Sequence, residues 1–236
     1  MATATECEHG PVDPTPWGPV NYTRLHESDE YRRRREELRA AECDLADHLE
    51  RVAALRRGLP ADTAVEDYEL VDVSDGGTVR LSDLFSAPGR PLIVYHLMYG
   101  KAQAEPCPMC SMWVDAWDGI AHHVAQRANI VAAALAPVDK VQAWAAHRKW
   151  QRLRILADAD PSFARDTGAE DAGGNPIPTV LVFEQTPDGI HHVLTAHAEF
   201  TDGSPRGIDQ LCPTWHILDL LPSGRGDWHA GNAYVT

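Results

Sequence analysis

Two cysteines two residues apart, Cys107-Pro108-Met109-Cys110, are the pair in this sequence best suited to chemistry. In a reducing compartment that spacing serves thiol–disulfide exchange or metal binding rather than a structural staple. The chain has five cysteines, too few and too scattered for a disulfide scaffold, and the odd number leaves at least one thiol unpaired in a monomer. An apolar run precedes the pair and a helical stretch follows it, so the cysteines fall at a helix's first turn. There, backbone N–H groups and the macrodipole favour negative charge. Pro108 fits as an early helical residue because its missing N–H is not needed there. Cys107 then takes the exposed cap position and Cys110 turns inward, so Cys107 is expected to attack and Cys110 to resolve. In such pairs the attacking thiol's pKa falls from about 8.5 to roughly 3.5–7.5.

A second chemistry open to the same thiols is coordination of Cu(I) or Zn(II), which two thiolates and an imidazole suit. His96 closes the apolar run near the cysteine loop, and His216 lies four residues after Cys212, on one helical face with it. The alternative metal set is therefore Cys107, Cys110 and one of His96 or His216, with Cys212 as a third thiol. A buried histidine satisfied by its own neighbours is the plainer expectation for each ring. Other signatures are missing. No His-Glu-x-x-His run occurs, and Gly76-Gly77 and Gly173-Gly174 lack the spacing and lysine of a phosphate-binding loop. The approach Gly100-Lys101-Ala102-Gln103-Ala104-Glu105-Pro106 has no threonine of the Pro-x-x-x-Thr-x-x-Cys kind that a peroxidatic cysteine requires. Arg206, Asp209 and Asp219 could orient a ligand, although Arg–Asp pairs are more often structural.

The elements that must position these residues follow from the hydrophobic pattern. Residues 1–27 are Pro- and Gly-rich without a period and read as an irregular arm. From about 29 to 57 the chain is free of Gly and Pro, and Tyr31, Leu38, Leu45 and Val52 recur seven apart, predicting a long amphipathic helix ended by Gly58-Leu59-Pro60. Its stripe could lie on the chain's own domain or pair with a second copy into a homodimeric interaction module. Strands are expected at 68–73 and 78–81 around Asp75-Gly76-Gly77, at 91–98, 130–135 and 154–157, and at 179–184 and 189–196 around a second hairpin turn. Helices are expected at 107–126, 138–149 and 207–220. Alternation of strand and helix implies a parallel sheet covered by helices.

Composition bounds the function. The 236 residues are 44% hydrophobic and 24% charged, enough for a real core and close to an average globular chain. A net charge of -14 disfavours phosphate backbones and anionic lipid surfaces, so nucleic acid and membranes are not expected partners. No run approaches the ~18 apolar residues of a membrane span, and the start lacks a basic and apolar leader, so a cytoplasmic location is expected.

Several segments together resemble a named family. Leu92-Ile93-Val94-Tyr95-His96, Cys107-Pro108-Met109-Cys110-Ser111, Asp118-Gly119, Ala136-Pro137, Arg206-Gly207-Ile208-Asp209 and the run from His216 to Arg225 are similar to the thioredoxin-like domain-of-unknown-function family 899. The resemblance implies an α/β, thioredoxin-like (peroxiredoxin-like) central sheet flanked by helices, with an N-terminal helical extension. The domains would be an arm over 1–27, a helix over 28–60 and the thioredoxin-like domain over 61–236. It also implies a cis-proline beside the dithiol, for which Pro178 in Ile177-Pro178-Thr179 is the candidate and Pro176 the alternative. The leading expectation is a thiol–disulfide oxidoreductase that acts through Cys107, Cys110 and Pro178. It would require no cofactor and would act on a protein or small-molecule thiol or disulfide.

Overall fold

A computed structural model describes residues 27–159, 162–197, 206 and 210–234. The chain divides into two compact units, Met1–Leu59 and Pro60–Thr236. The first contains helix α1, Asp29–Arg57. Ser28 caps it by accepting a hydrogen bond from the Tyr31 N–H, Asp29 and Glu30 sit in the first turn, Arg56 and Arg57 in the last, and Gly58 closes it. Each of these choices complements the unsatisfied groups and the dipole at a helix end. No residue of α1 is buried, and Tyr31, Leu38 and Leu45 remain more than half exposed.

The second unit is an eight-stranded mixed sheet in the order β1-β8-β7-β4-β5-β6-β2-β3. The strands are β1 (Thr63–Val65), β2 (Glu69–Asp72), β3 (Thr78–Arg80), β4 (Leu92–His96), β5 (Asn129–Ala134), β6 (Arg154–Asp158), β7 (Thr179–Thr186) and β8 (Gly189–His197). Only β4, β5 and β6 run parallel; β7, β8 and β1 on one side and β2 and β3 on the other are antiparallel. The expected parallel sheet is thus confined to the centre. Short hairpins join β2 to β3 through residues 73–77 and β7 to β8 through residues 187–188, and connections this short can only produce antiparallel neighbours. At the first of these Gly76 adopts φ +74°, as its turn requires.

Alternation along the central strands sends side chains to two cores. One face carries Tyr95, Leu97, Ala132, Ala134, Ile155 and Ala157 beneath α2 (Pro108–Val124) and α3 (Val138–Arg148), which contribute Trp113, Val114, Trp117, Val141 and Trp144. The other carries Leu92, Val94, Val131, Ala133, Leu156, Leu181 and Phe183, closed by Leu70, Leu81, Leu84 and by Phe163 of α4 (Ser162–Asp166). Burial of β4 on both faces explains its continuous apolar run.

The predicted final helix is shorter than expected. Helix α5 spans Pro213–Leu218, with Cys212 at its cap and Pro213 at its first position; a proline is compatible with a helix start and not with a helix interior, so α5 begins there. Residues 207–209, including Asp209, lie outside the described residues.

Candidate active site

Chain order brings β4 into the cysteine loop and the loop into α2. Cys107 is the cap residue of α2, half-buried, and Pro108 occupies the first helical position, as expected. Cys110, one turn later on the face toward the sheet, is buried. The backbone of Met98 joins both: its carbonyl accepts from the Cys107 N–H at 3.0 Å, and its N–H donates to Cys110 Sγ at 3.4 Å. The dithiol is therefore fastened to the residue two beyond the end of the central strand.

The two thiols are electrostatically unequal. A hydrogen bond from the Cys110 side chain, helped by the backbone N–H groups of Cys110 and Met109, holds the Cys107 thiol down to about 6 against the opposing effect of burial. Cys110 is pushed well above an ordinary thiol, first by that same hydrogen bond to Cys107, then by burial and by the charge on Cys107. One proton is thus held on the inner sulfur while the outer sulfur carries the charge. Tyr95 is a partner that sequence reasoning missed. Its ring is buried against Trp113 and Trp117, with centroids 5.2 Å and 5.4 Å away, and its hydroxyl hydrogen-bonds the Cys110 sulfur. Burial, and then the neighbouring Cys110, raise the phenol far above its ordinary value, so it stays a donor. Cys212 is buried in the same core cluster as Tyr95 and Cys110.

The histidines are placed differently from the metal reading. His96 follows Tyr95 by one residue in an extended strand, so it faces the opposite core. It is wholly buried there, with Nε2 3.3 Å from Asp158 Oδ2 at the end of β6 and Phe163 nearby. His96 is therefore corrected from a candidate ligand to a buried partner of Asp158 on the side of the sheet away from the thiols. His216 is exposed on α5 whereas Cys212 is buried. Among the described residues no group of three or more His, Cys, Asp or Glu side chains is placed to hold a metal ion, so the proposed Cu(I) or Zn(II) set does not fit.

Pro178 stands at the same end of the sheet as the dithiol, since β4 and β7 pair His96 with Thr179, the residue after it. Its peptide bond is trans, because no cis peptide occurs among the described residues; this corrects the expected cis-proline. The C-terminal groups are structural in the way Arg–Asp pairs usually are. Asp219 is held by Arg225 and Arg206, its carboxyl lowered to about 2 by the Arg225 hydrogen bonds and the Arg206 charge. Asp118 of the Asp118-Gly119 pair accepts the N–H groups of Gln151, Arg152 and Leu153 at 2.7–2.9 Å, fixing the turn into β6.

No helix among the described residues is long and apolar enough to cross a membrane. Among solved structures, peroxidoxin BcpB from Mycobacterium tuberculosis is similar at 22% identity, with 68% of this chain and 98% of that one covered and a TM-score of 0.50. PrxQ from Xylella fastidiosa is 12% identical over 65% of this chain and 93% of its own, with a TM-score of 0.48. The bacterioferritin comigratory protein of Xanthomonas campestris is 16% identical over 65% and 92%, with a TM-score of 0.45. No curated protein matches. The likeness to the mycobacterial protein shows the fold: a thioredoxin-like, peroxiredoxin-like sheet flanked by helices. The family model described as "Bacterial protein of unknown function (DUF899)" matches residues 20–235, and the chain belongs to that family.

Proposed function

We propose that the protein is a thiol–disulfide oxidoreductase in which Cys107 attacks and Cys110 resolves. The observation that carries this reading is the inequality of the two sulfurs: Cys107 is half-buried at the cap of α2 and held down to about 6, whereas Cys110 is buried and protonated. Exchange needs an accessible thiolate to open a disulfide and a second thiol within reach to displace the product. The Cys107 thiolate attacks one sulfur of a substrate disulfide, expelling the other as thiolate. Cys110 loses its proton and attacks Cys107, which releases the second product thiolate and leaves a Cys107–Cys110 disulfide. Tyr95 donates to the Cys110 sulfur as charge appears on it. Partners on this reading are thiols or disulfides, protein or small, together with a second copy of the chain along the exposed stripe of Tyr31, Leu38, Leu45 and Val52 on α1.

Trapping tests the assignment of roles. Cys110→Ser is expected to hold a mixed disulfide on Cys107 that survives denaturing, non-reducing electrophoresis, and Cys107→Ser to hold none. Because Cys212 shares the core with Cys110, Cys110→Ser/Cys212→Ser is the proper comparison. Adduct on Cys110 in the Cys107→Ser variant, in place of one on Cys107, would reverse the roles; no adduct in either would end the reading.

A further inference from the structure

A groove of about 520 Å³ opens between the loop that follows β4 and the segment that precedes β7, lined by Met98, Gly100, Lys101, Leu135, Glu170 and Pro176 among others. Its volume lies within the range of small-molecule sites, roughly 300–1,000 Å³. Met98, one of the residues that line the groove, is also the residue whose backbone hydrogen-bonds both cysteines, so the groove and the dithiol share a wall residue. Both sides are built rather than slack. Lys140 Nζ donates to the carbonyls of Lys101 and Gln103 at 3.0 Å and 3.1 Å, and Gln103 Oε1 accepts from the Gly100 N–H. A Cβ at Gly100 would come within 3.0 Å of Pro176 Cδ, so glycine is what lets the loop approach this closely. On the other side a backbone bridge pairs Glu170 with Pro176.

Two opposite charges line this groove, and neither has an ion pair or a side-chain hydrogen bond among the described residues: the Lys101 ammonium and the Glu170 carboxylate. They do not pair with each other. Elsewhere the chain joins such groups readily, as in Arg154–Asp72 and Arg225–Asp219. A ligand presenting a carboxylate to Lys101 and an ammonium to Glu170 would satisfy both, and charge-assisted contacts of that kind are the stronger ones. Small amino-acid-based disulfides have this chemistry.

Resting on the thiol–disulfide reading, we propose that the groove binds a low-molecular-weight zwitterionic disulfide, carboxylate toward Lys101 and ammonium toward Glu170, and delivers its sulfur to Cys107. The reaction is a two-electron exchange. Cys107 and Cys110 supply both electrons, the substrate disulfide leaves as two thiols, the protein is left with a Cys107–Cys110 disulfide, and an external dithiol reduces it for the next cycle.

The test compares oxidised glutathione with bis(2-hydroxyethyl) disulfide, which carries no charge, using the full chain and dithiothreitol as reductant. In Lys101→Ala and in Glu170→Gln the ratio of kcat/KM for oxidised glutathione over the neutral disulfide is expected to fall about tenfold, the loss of one charged hydrogen bond, through KM. A ratio equal to wild type in both variants overturns the groove assignment while leaving the dithiol reading intact. An equal fall for insulin disulfides overturns it in favour of peptide substrates. If wild type and Cys107→Ser act alike on both small disulfides, the oxidoreductase reading itself fails and this inference with it.

Discussion

At the level of single residues, the site depends on which sulfur carries the proton. Because Cys107 is held down to about 6, its alkylation by iodoacetamide should rise through a midpoint near that pH and level off above neutrality. Cys110 should stay unlabelled over the same range. The largest cause of the depression is the hydrogen bond from Cys110, so Cys110→Ala should move the Cys107 midpoint up toward the ordinary thiol range. A group whose folded pKa is depressed contributes stability above its unfolded pKa of about 8.5. That contribution is lost as pH falls through about 6. Tyr95→Phe removes the hydroxyl donor to Cys110 and should slow opening of the Cys107–Cys110 disulfide by dithiothreitol about three- to tenfold, because a poorer leaving thiolate leaves more slowly. Sequence reasoning found the cysteines and their order of exposure, since Pro108 and the helix period fix both. It placed His96 near the thiols because that residue closes the apolar run, and gave Tyr95 no role. Parity along β4 was the signal that separates them: one residue's difference in an extended strand changes the face, and only the Tyr95 face meets α2.

Among the secondary-structure elements, the carboxylates on α2 and β6 anchor the frame without touching the thiols. Asp118 accepts three backbone N–H groups of the turn into β6, so Asp118→Ala should destabilise the domain by about 3 kcal/mol in urea unfolding, the cost of orphaned buried donors. Asp158→Ala should cost about 1–3 kcal/mol by leaving His96 without its partner, with the Cys107 alkylation midpoint where it was, because the pair lies across the sheet from the cysteines. A midpoint that shifted with Asp158 would mean the two faces are coupled through β4. The elements themselves were legible where the pattern is long: α2, α3 and the apolar strands follow directly from period and turn residues. Strand β1, Thr63–Val65, is only three residues and shows no alternation that could mark it; its pairing with β8 supplies what its own sequence does not. The final helix is the reverse case: the expected span 207–220 runs through Pro213, although a proline there marks a start.

For the molecule as a whole, the order of strands was not legible, because hydrophobic alternation says that strands exist and not which edges they join. β2 lies beside β6 with β3 outside it at the edge, whereas β1 caps the opposite edge beside β8, an arrangement that only tertiary pairing settles. The C-terminal tail is a second long-range feature invisible to local pattern. Asn232 Nδ2 donates to the Pro106 carbonyl, immediately before Cys107, and to Glu105, while the Arg148 guanidinium lies 4.1 Å from the Tyr234 ring centroid and also bonds Asp115. Ending the chain after Ala230 should therefore lower Tm and speed alkylation of Cys107, by freeing the loop that presents it. The helix α1 poses the remaining large-scale question, since Tyr31, Leu38, Leu45 and Val52 stand at heptad spacing with none of them buried. A stripe of this kind gains apolar burial when a second helix lies along it, on the order of 1.5–3 kcal/mol for each large side chain fully covered. Leu45→Asp would put a charge at its centre while changing an isolated helix by only about 0.5 kcal/mol. Light scattering is expected to report a dimer for the wild-type chain and a monomer for the variant, with the alkylation profile of Cys107 unchanged; equal masses for the two would exclude the stripe as the contact between copies.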